Sequence, residues 1–122
     1  MVEIYSQINK NRLYIILKGK FDNEGARQVA EKVVSESRKL KPGFGTISDL
    51  TEFVTSSEQE RLIMMDAMAK LKQSGMGHVV RINTNFIASN QWQRTSRAVG
   101  YSAAEATCKL EAEKLLDKME GR

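Results

Sequence analysis

The sequence predicts an α/β domain in which a mixed, mostly parallel sheet of four to five strands carries about four helices. Two observations lead to this prediction. Apolar residues alternate at period two in the N-terminal segments, and further along the chain strand-like and helix-like periods follow one another. No linker, repeat or low-complexity stretch interrupts the pattern. We therefore expect residues 1–122 to form a single domain.

The first two predicted strands form a hairpin. In "VEIYSQI", Val2, Ile4 and Ile8 are expected to share one face. In "RLYIILK" both faces are mostly apolar, which is typical of a strand covered on both sides. The "NKN" between them predicts a turn, because asparagine accepts a positive φ angle.

A helix follows, for which Asp22 or Asn23 is the candidate cap. Its apolar residues recur at helical spacing from Ala26 to Leu40, and "KPGFG" ends it. "GTISDL" is then predicted as a strand and "TEFVTSS" as a loop. We expect one shared core that contains Val29, Val33, Ile47 and Leu71.

The second half continues the alternation. A helix is predicted from about Glu58 to Ser74, then a strand at "HVVRIN", a short helix around Trp92, and a C-terminal helix. Residues 101–107 have two interpretations. Their alanines, and a capping box at Ser102 and Glu105, favour a helix. The order of the other elements instead favours a short strand, with Thr107 capping the last helix, and we adopt the strand.

The bulk composition excludes several classes of function. With 19 basic and 15 acidic side chains, the net charge of +4 is too small for a dedicated nucleic-acid module. No secretory signal or membrane span is visible, so we expect a cytoplasmic protein. One histidine, His78, and one cysteine, Cys108, allow neither an intrachain disulfide nor a His- or Cys-rich metal site. We therefore expect no metal, no cofactor and no enzymatic activity.

Three stretches resemble the STAS domain, the SpoIIAA-like fold of bacterial anti-sigma factor antagonists and of sulfate-transporter tails. "LYIILKGKFDNEGARQVAEKV" is similar to that family's second strand, its Gly-x-hydrophobic-Asp turn and its first helix. "ISDLTEF" is similar to its third strand, and "RTSRAVGY" followed by "AEATCKLEAEKLLDKM" is similar to its end. The resemblance implies a regulatory domain that binds a protein partner, such as a kinase or another regulator, and it allows a homodimer.

The family carries Asp-Ser-Ser/Thr-Gly at its second helix, where a partner kinase phosphorylates one hydroxyl. The matching residues here are Thr55, Ser56, Ser57 and Glu58, so threonine replaces the aspartate and glutamate replaces the glycine. This departure indicates a divergent branch. The four residues are our candidates for phosphorylation and docking, on a surface that spans Glu52 to Arg61. The simpler interpretation is that Ser56 or Ser57 only caps the helix.

Several alternatives remain open. The runner-up function is the binding of a small apolar or lipid-like ligand between the sheet and the helices. His78 is expected to be structural and Cys108 to be a small core residue. One alternative is contact with nucleic acid by the stretch that carries Trp92, Arg94, Arg97 and Tyr101. We favour instead that Trp92, Ser96 and Val99 pack on the sheet with the arginines in solvent. Met65 falls outside the buried stripe of its helix, which hints at a partner surface.

Overall fold

The structure is a computed structural model that describes residues 2–54, 57–83, 93–94 and 96–121. In these ranges five strands form one sheet in the order β1-β2-β3-β4-β5, with β1 antiparallel to β2 and every later pair parallel. Residues 93–94 and 96–99 are also helical. The strands are β1 (Val2–Gln7), β2 (Arg12–Gly19), β3 (Gly45–Phe53), β4 (Val79–Ile82) and β5 (Ala103–Ala106), and the longer helices are α1 (Asn23–Ser37), α2 (Glu58–Gln73) and α3 (Lys109–Met119). The predicted α/β class with a mixed, mostly parallel sheet is confirmed.

The hairpin turns through a short 3-10 segment, Ile8–Lys10, and then Asn11, whose φ of 55° is the positive value expected of an asparagine. The predicted face of Val2, Ile4 and Ile8 is only partly right. Ile4 is buried, but Ile8 is 66% exposed because the 3-10 segment takes it out of the strand.

The sheet has a core on each face, as the two apolar faces of β2 predict. Leu13, Ile15 and Leu17 pack with α1 and α2, whereas Tyr14 packs with α3. Val29, Val33 and Leu71 share the first core, but Ile47 lies in the second. The expectation that Ile47 joins them is wrong. Successive residues of a strand point to opposite faces of the sheet, and the neighbouring Ser48 is the one that faces the first core.

Strand β3 is longer than predicted. It continues through "TEF" to Phe53, so the predicted loop begins only at Val54. The pairing with β2 shifts between Ile16 and Lys18 at a bulge, where the N–H of Thr51 donates to Asp49 Oδ1 at 3.1 Å. Beyond the bulge, pairing of Gly19 with Phe53 keeps the segment extended. The chain therefore stays paired with β2 up to Phe53 and leaves the sheet toward α2 at Val54.

Residues 103–106 form the strand that we adopted rather than the alternative helix. The predicted cap is wrong, because α3 begins one residue later than expected and Cys108 occupies its N-cap position without a side-chain hydrogen bond. The hydroxyl of Thr107 instead donates to Glu111 Oε2 at 2.9 Å. Cys108 is exposed, so its assignment to the core is also wrong. Within the described ranges, we find no helix with the length and apolar character of a membrane span.

Candidate functional site at the start of α2

The candidate site lies in the connection between the end of β3 and the start of α2. The N–H of Val54 donates to the carbonyl of Gly19 at 3.0 Å, which fastens the chain as it leaves the sheet. Ser57 is extended, with φ −155° and ψ 159°, and its Oγ accepts from the N–H of Glu60 at 3.1 Å. Ser57 therefore caps α2, as one of the two predicted serines, and its side chain is at the surface. Thr55 and Ser56 lie outside the described residues.

Opposite charges meet in the first turn of α2. Arg61 donates to both carboxylate oxygens of Glu58, at 2.6 and 3.1 Å. This pairing lowers the pKa of Glu58 and raises the pKa of Arg61. Both side chains are solvent-accessible, so the pair fixes local geometry more than it adds stability. Arg61 is thereby held one turn away from the Ser57 hydroxyl.

Sequence reasoning missed Glu60, which is fully buried in the same first turn. It lies four residues before Met64 and so belongs to the stripe of α2 that faces inward. That spacing was available in the sequence, but an acidic residue in a first turn is normally a solvated complement to the helix dipole.

Two exposed apolar side chains flank the Ser57 cap in the sequence. Val54 is 44% exposed and Leu62 is 47% exposed. Behind Val54, the rings of Phe21 and Phe53 lie 5.8 Å apart and are partly buried against the first core. Exposed apolar residues beside a fixed cap are features of a surface that another protein can cover.

The other residues considered from the sequence lie elsewhere. His78 is exposed and contributes its backbone carbonyl to the N–H of Thr46 at 3.0 Å. Met65 is half-buried, and its sulfur accepts from Arg61 at 3.1 Å. Across the described ranges, no three His, Cys, Asp or Glu side chains come together in a way that could hold a metal ion.

The residues near the C-terminal strand follow the packing interpretation. Ser96 is fully buried and Val99 is half-buried, while Arg94 and Arg97 are exposed. Trp92 lies outside the described residues.

The first core contains a buried cation that sequence reasoning also missed. Arg81 on β4 is 2% exposed, and its Nη2 donates to Ser96 Oγ at 2.6 Å. Burial lowers the pKa of Arg81, and the neighbouring Tyr101 and Glu105 oppose that shift. The signal was present, since Arg81 stands inside "HVVRIN", a strand otherwise rich in apolar residues.

A cavity of about 40 Å³ lies beside Arg81, between the sheet and helices α1 and α2. Apolar side chains from these elements line it, together with Ser48, Arg81 and Tyr101. Pockets for drug-sized ligands are commonly about 300–1,000 Å³. The space therefore does not favour the lipid-like ligand that we considered as the alternative.

No family model matches this sequence, and no curated protein is significantly similar to it. Solved structures do match. An uncharacterized protein of the DUF3478 family with a SpoIIAA-like fold, from Shewanella loihica PV-4, aligns with a TM-score of 0.70 at 17% identity, over 95% of this chain and 92% of that one.

Two structures of SpoIIAA also align, each at 14% identity. The phosphorylated form, described as a Bacillus cell fate determinant, gives a TM-score of 0.63 over 98% of this chain and 99% of that one. The unphosphorylated form, described as an anti-sigma factor antagonist, gives 0.64 over 100% and 98%. At such identities the similarity is one of fold. The chain has the SpoIIAA-like fold of STAS-like domains, as the sequence resemblance implied.

Proposed function

We propose that this chain is a non-enzymatic regulatory domain of STAS type that binds a protein partner through the surface around the start of α2. The partner class is a kinase or another regulator, and phosphorylation of Ser57 or Ser56 would control the binding. The observation that carries the proposal is the exposed Ser57 hydroxyl at the N-cap of α2.

The position of Ser57 suits a switch. A phosphate there would lie at the positive end of the α2 dipole, near backbone N–H donors. It would also stand close in sequence to the Glu58–Arg61 ion pair, so that it could repel Glu58 and attract Arg61. One modification would thus change both the charge and the hydrogen bonding of the proposed surface. One of the structures that this fold matches is a phosphorylated protein, SpoIIAA.

The proposed contact surface combines apolar and charged groups. Val54 and Leu62 supply exposed apolar area, and Glu52, Glu58 and Arg61 supply charges around them. Transient regulatory interfaces commonly have this mixed composition. A homodimer would either compete for this surface or form through a different one. Sedimentation of the purified chain distinguishes self-association from binding of a different protein.

The absence of enzymatic activity is part of the proposal. General acid–base or nucleophilic catalysis needs a titratable group held against a second one. His78 and Cys108 are both exposed, and they lie in different loops. Neither position favours a catalytic role.

The first test is to purify the protein from its native cells under several growth conditions and to map phosphate by mass spectrometry. We expect phosphate on Ser57 or Ser56 in at least one condition. Phosphate confined to other residues, or no phosphate in any condition, would remove the control element of the proposal.

The second test measures binding. Partners captured in those cells by the wild type are compared with partners captured by Val54→Asp, Leu62→Asp and Ser57→Glu. We expect the two aspartate variants to lose the partner. As a matched control, Ser74→Glu changes an exposed serine at the opposite end of the same helix and should keep it. Equal capture by every variant would place the interface elsewhere, and sedimentation of the purified chain would reveal self-association.

A further inference from the structure

The outer side of helices α1 and α2 carries a shallow groove between them. Both helices pack on the same face of the sheet, and they run in the same direction because each returns the chain from one parallel strand to the start of the next. The groove is a depression of about 270 Å³ with a floor of Ala30 and Val34 from α1 and Ala67 from α2. It lies in the carboxyl halves of the two helices, apart from the surface at the start of α2.

Four exposed charged side chains form the rim of this groove: Glu31 and Arg38 on α1, and Asp66 and Lys70 on α2. In each helix the acid precedes the base, so the negative charges lie at one end of the rim and the positive charges at the other. Asp66 and Lys70 pair with each other at 3.0 Å. Glu31 and Arg38 are two turns apart, about 10.5 Å along the helix, which is too far for a direct pair. In the part of the chain that the structure describes, neither has another ion-pair partner.

This distribution of charge distinguishes two ways in which the face could dock on a second copy of itself. A twofold axis parallel to the helices would place acids over acids and bases over bases. A twofold axis perpendicular to the helices, in the plane of the interface, reverses their direction. Glu31 of each copy then faces the partner's Arg38. In the same way, Asp66 faces the partner's Lys70. Only the antiparallel docking is therefore complementary in charge.

The small side chains of the groove floor suit this docking. Ala30, Val34 and Ala67 leave room for the facing helices to approach. The partner's Arg38 can lie along the depression, with its methylene stem on Val34 and its guanidinium at Glu31. One exposed ion pair adds little to binding, but the symmetry forms each pair twice. The charges that the single chain leaves without a partner thus find one in the dimer.

We propose that the α1–α2 face, defined by the groove and its four rim charges, is a self-association site that takes a second copy of this chain in antiparallel orientation. The dimer covers the carboxyl half of α2 and leaves Ser57 accessible, so it does not depend on the proposed function. Helices of 15 and 16 residues are about 22–24 Å long and offer a small interface. The dimer is accordingly weak, and the chain is monomeric at the low micromolar concentrations of a denaturation experiment.

Sedimentation equilibrium of the purified full chain, at about 10 to 500 µM in about 0.1 M NaCl, tests the proposal. We expect the average mass to approach that of a dimer at the higher concentrations. In about 1 M NaCl the Debye length falls from about 10 to about 3 Å, and the dimer should weaken. A wild type that remains monomeric throughout, or a dimer that salt does not weaken, would overturn the proposal.

Charge reversal then locates the interface. Arg38→Glu brings glutamates together at both crossing points and Glu31→Arg brings arginines together, so each variant alone should dimerise at least about 10-fold more weakly. An equimolar mixture of the two variants has opposite charges at both points, and its affinity should return to within about threefold of the wild type.

Lys114→Glu is the matched control, because it changes the net charge as much as Arg38→Glu does but lies at an exposed position of α3. It should dimerise like the wild type, and it should not restore the affinity of Glu31→Arg when the two are mixed. Equal weakening by Lys114→Glu and Arg38→Glu would mean that only net charge matters. No recovery in the mixture of Arg38→Glu and Glu31→Arg would show that these two residues do not face each other, and either result would contradict the proposed interface.

Discussion

At the scale of single residues, the hydroxyl of Ser57 already has a structural partner. Its Oγ accepts from the N–H of Glu60, one of the donors that a helix start leaves without an intrahelical acceptor. Ser57→Ala should therefore lower the free energy of unfolding by about 1 kcal/mol, and Ser57→Gly by only a few tenths of a kcal/mol. Ser57→Asp should be tolerated, because aspartate caps a helix well and its charge opposes the positive end of the dipole.

Urea denaturation at neutral pH measures these differences, with Ser102→Ala, at an exposed loop position, as the control expected within about 0.5 kcal/mol of the wild type. If Ser57→Ala had the same free energy of unfolding as the wild type, the cap would add no measurable stability. The aspartate result also has a consequence for the proposed switch. Because aspartate can replace the cap, a functional Ser57→Asp variant is no proof of phosphorylation, and direct detection of phosphate is needed.

Val33 provides the matching test in the core. It is 4% exposed on the inner face of α1, so Val33→Asp would bury a carboxylate among apolar side chains. We expect a loss of several kcal/mol, enough to unfold a domain of ordinary stability. Gln28→Asp also introduces an aspartate, but at an exposed position of the same helix, and it should leave the melting temperature nearly unchanged. A Val33→Asp variant with wild-type melting temperature would contradict the assigned helix face.

At the scale of elements, a buried arginine fastens α3 to the sheet. Arg12 on β2 is fully buried and contacts the carboxylates of Glu113, at 3.3 Å, and Asp117 on successive turns of α3. It also contacts the carboxylate of Glu120, at the C-cap of α3, at 2.6 Å. Burial alone would lower the pKa of Arg12, but its hydrogen bonds to Asp117 and Glu120 raise the pKa instead. The Tyr14 hydroxyl joins the cluster by donating to Glu113 at 2.6 Å.

Removal of this arginine should loosen the helix as a unit. Arg12→Met leaves three carboxylates, of which Glu113 and Glu120 are largely buried, without the cation they share, and we expect a loss of about 3–5 kcal/mol. Lys118→Met removes an exposed charge from the same helix and should cost less than about 0.5 kcal/mol. Chemical denaturation gives the energies, and hydrogen exchange of the α3 amides locates the effect. Protection lost evenly over the molecule, rather than first in α3, would contradict this role.

These elements also show how far sequence reasoning reaches. The apolar faces of β2 predicted two covered sides, and hydroxyl residues before α2 predicted its cap, because both signals are local. The spacing of Glu113, Asp117 and Glu120, along α3 and at its C-cap, is equally regular, but acidic residues at such spacing are typical of a solvated helix face. Only the tertiary fold, which packs α3 on the sheet beside the start of β2, brings Arg12 to these carboxylates. The burial of Arg81 was not predicted for the same reason, since its partner Ser96 comes from a segment 15 residues away.

At the scale of the whole molecule, carboxylates tie helices to the sheet on both of its faces. On one face the Glu36 carboxylate of α1 accepts from the backbone N–H and the hydroxyl of Ser6, each at 3.1 Å, and from Lys39 at 2.7 Å. It thereby covers a donor on β1, an edge strand that would otherwise offer that donor to another chain. On the other face, Glu113 of α3 accepts from Tyr14 and from Lys10.

The pKa of both carboxyl groups is lowered in the folded protein. For Glu36 the main cause is the hydrogen bond from Lys39, with Ser6 adding to it against the effect of burial. For Glu113, burial would raise the pKa, but the hydrogen bonds from Tyr14 and Lys10 outweigh it. On acidification the unfolded chain therefore takes up these protons first. The stability that the two groups contribute is complete above the ordinary glutamate pKa of about 4.3, and it is lost as pH falls through the lower folded values.

We accordingly expect the free energy of unfolding to be nearly constant from neutral pH down to about pH 5 and to fall steeply below about pH 4.3. Glu36→Gln keeps the shape of the side chain but cannot titrate, so it should be less stable than the wild type at neutral pH and should lose less stability in acid. Glu31→Gln, at an exposed position of the same helix, should follow the wild-type curve in the acid range. Urea denaturation at a series of pH values measures the free energy of unfolding of all three proteins.

If the free energy of unfolding of Glu36→Gln falls in acid in parallel with that of the wild type, the Lys39 and Ser6 contacts do not depend on the charge of Glu36. A change confined to Glu36→Gln would instead assign part of the acid sensitivity to the link between α1 and the β1 edge.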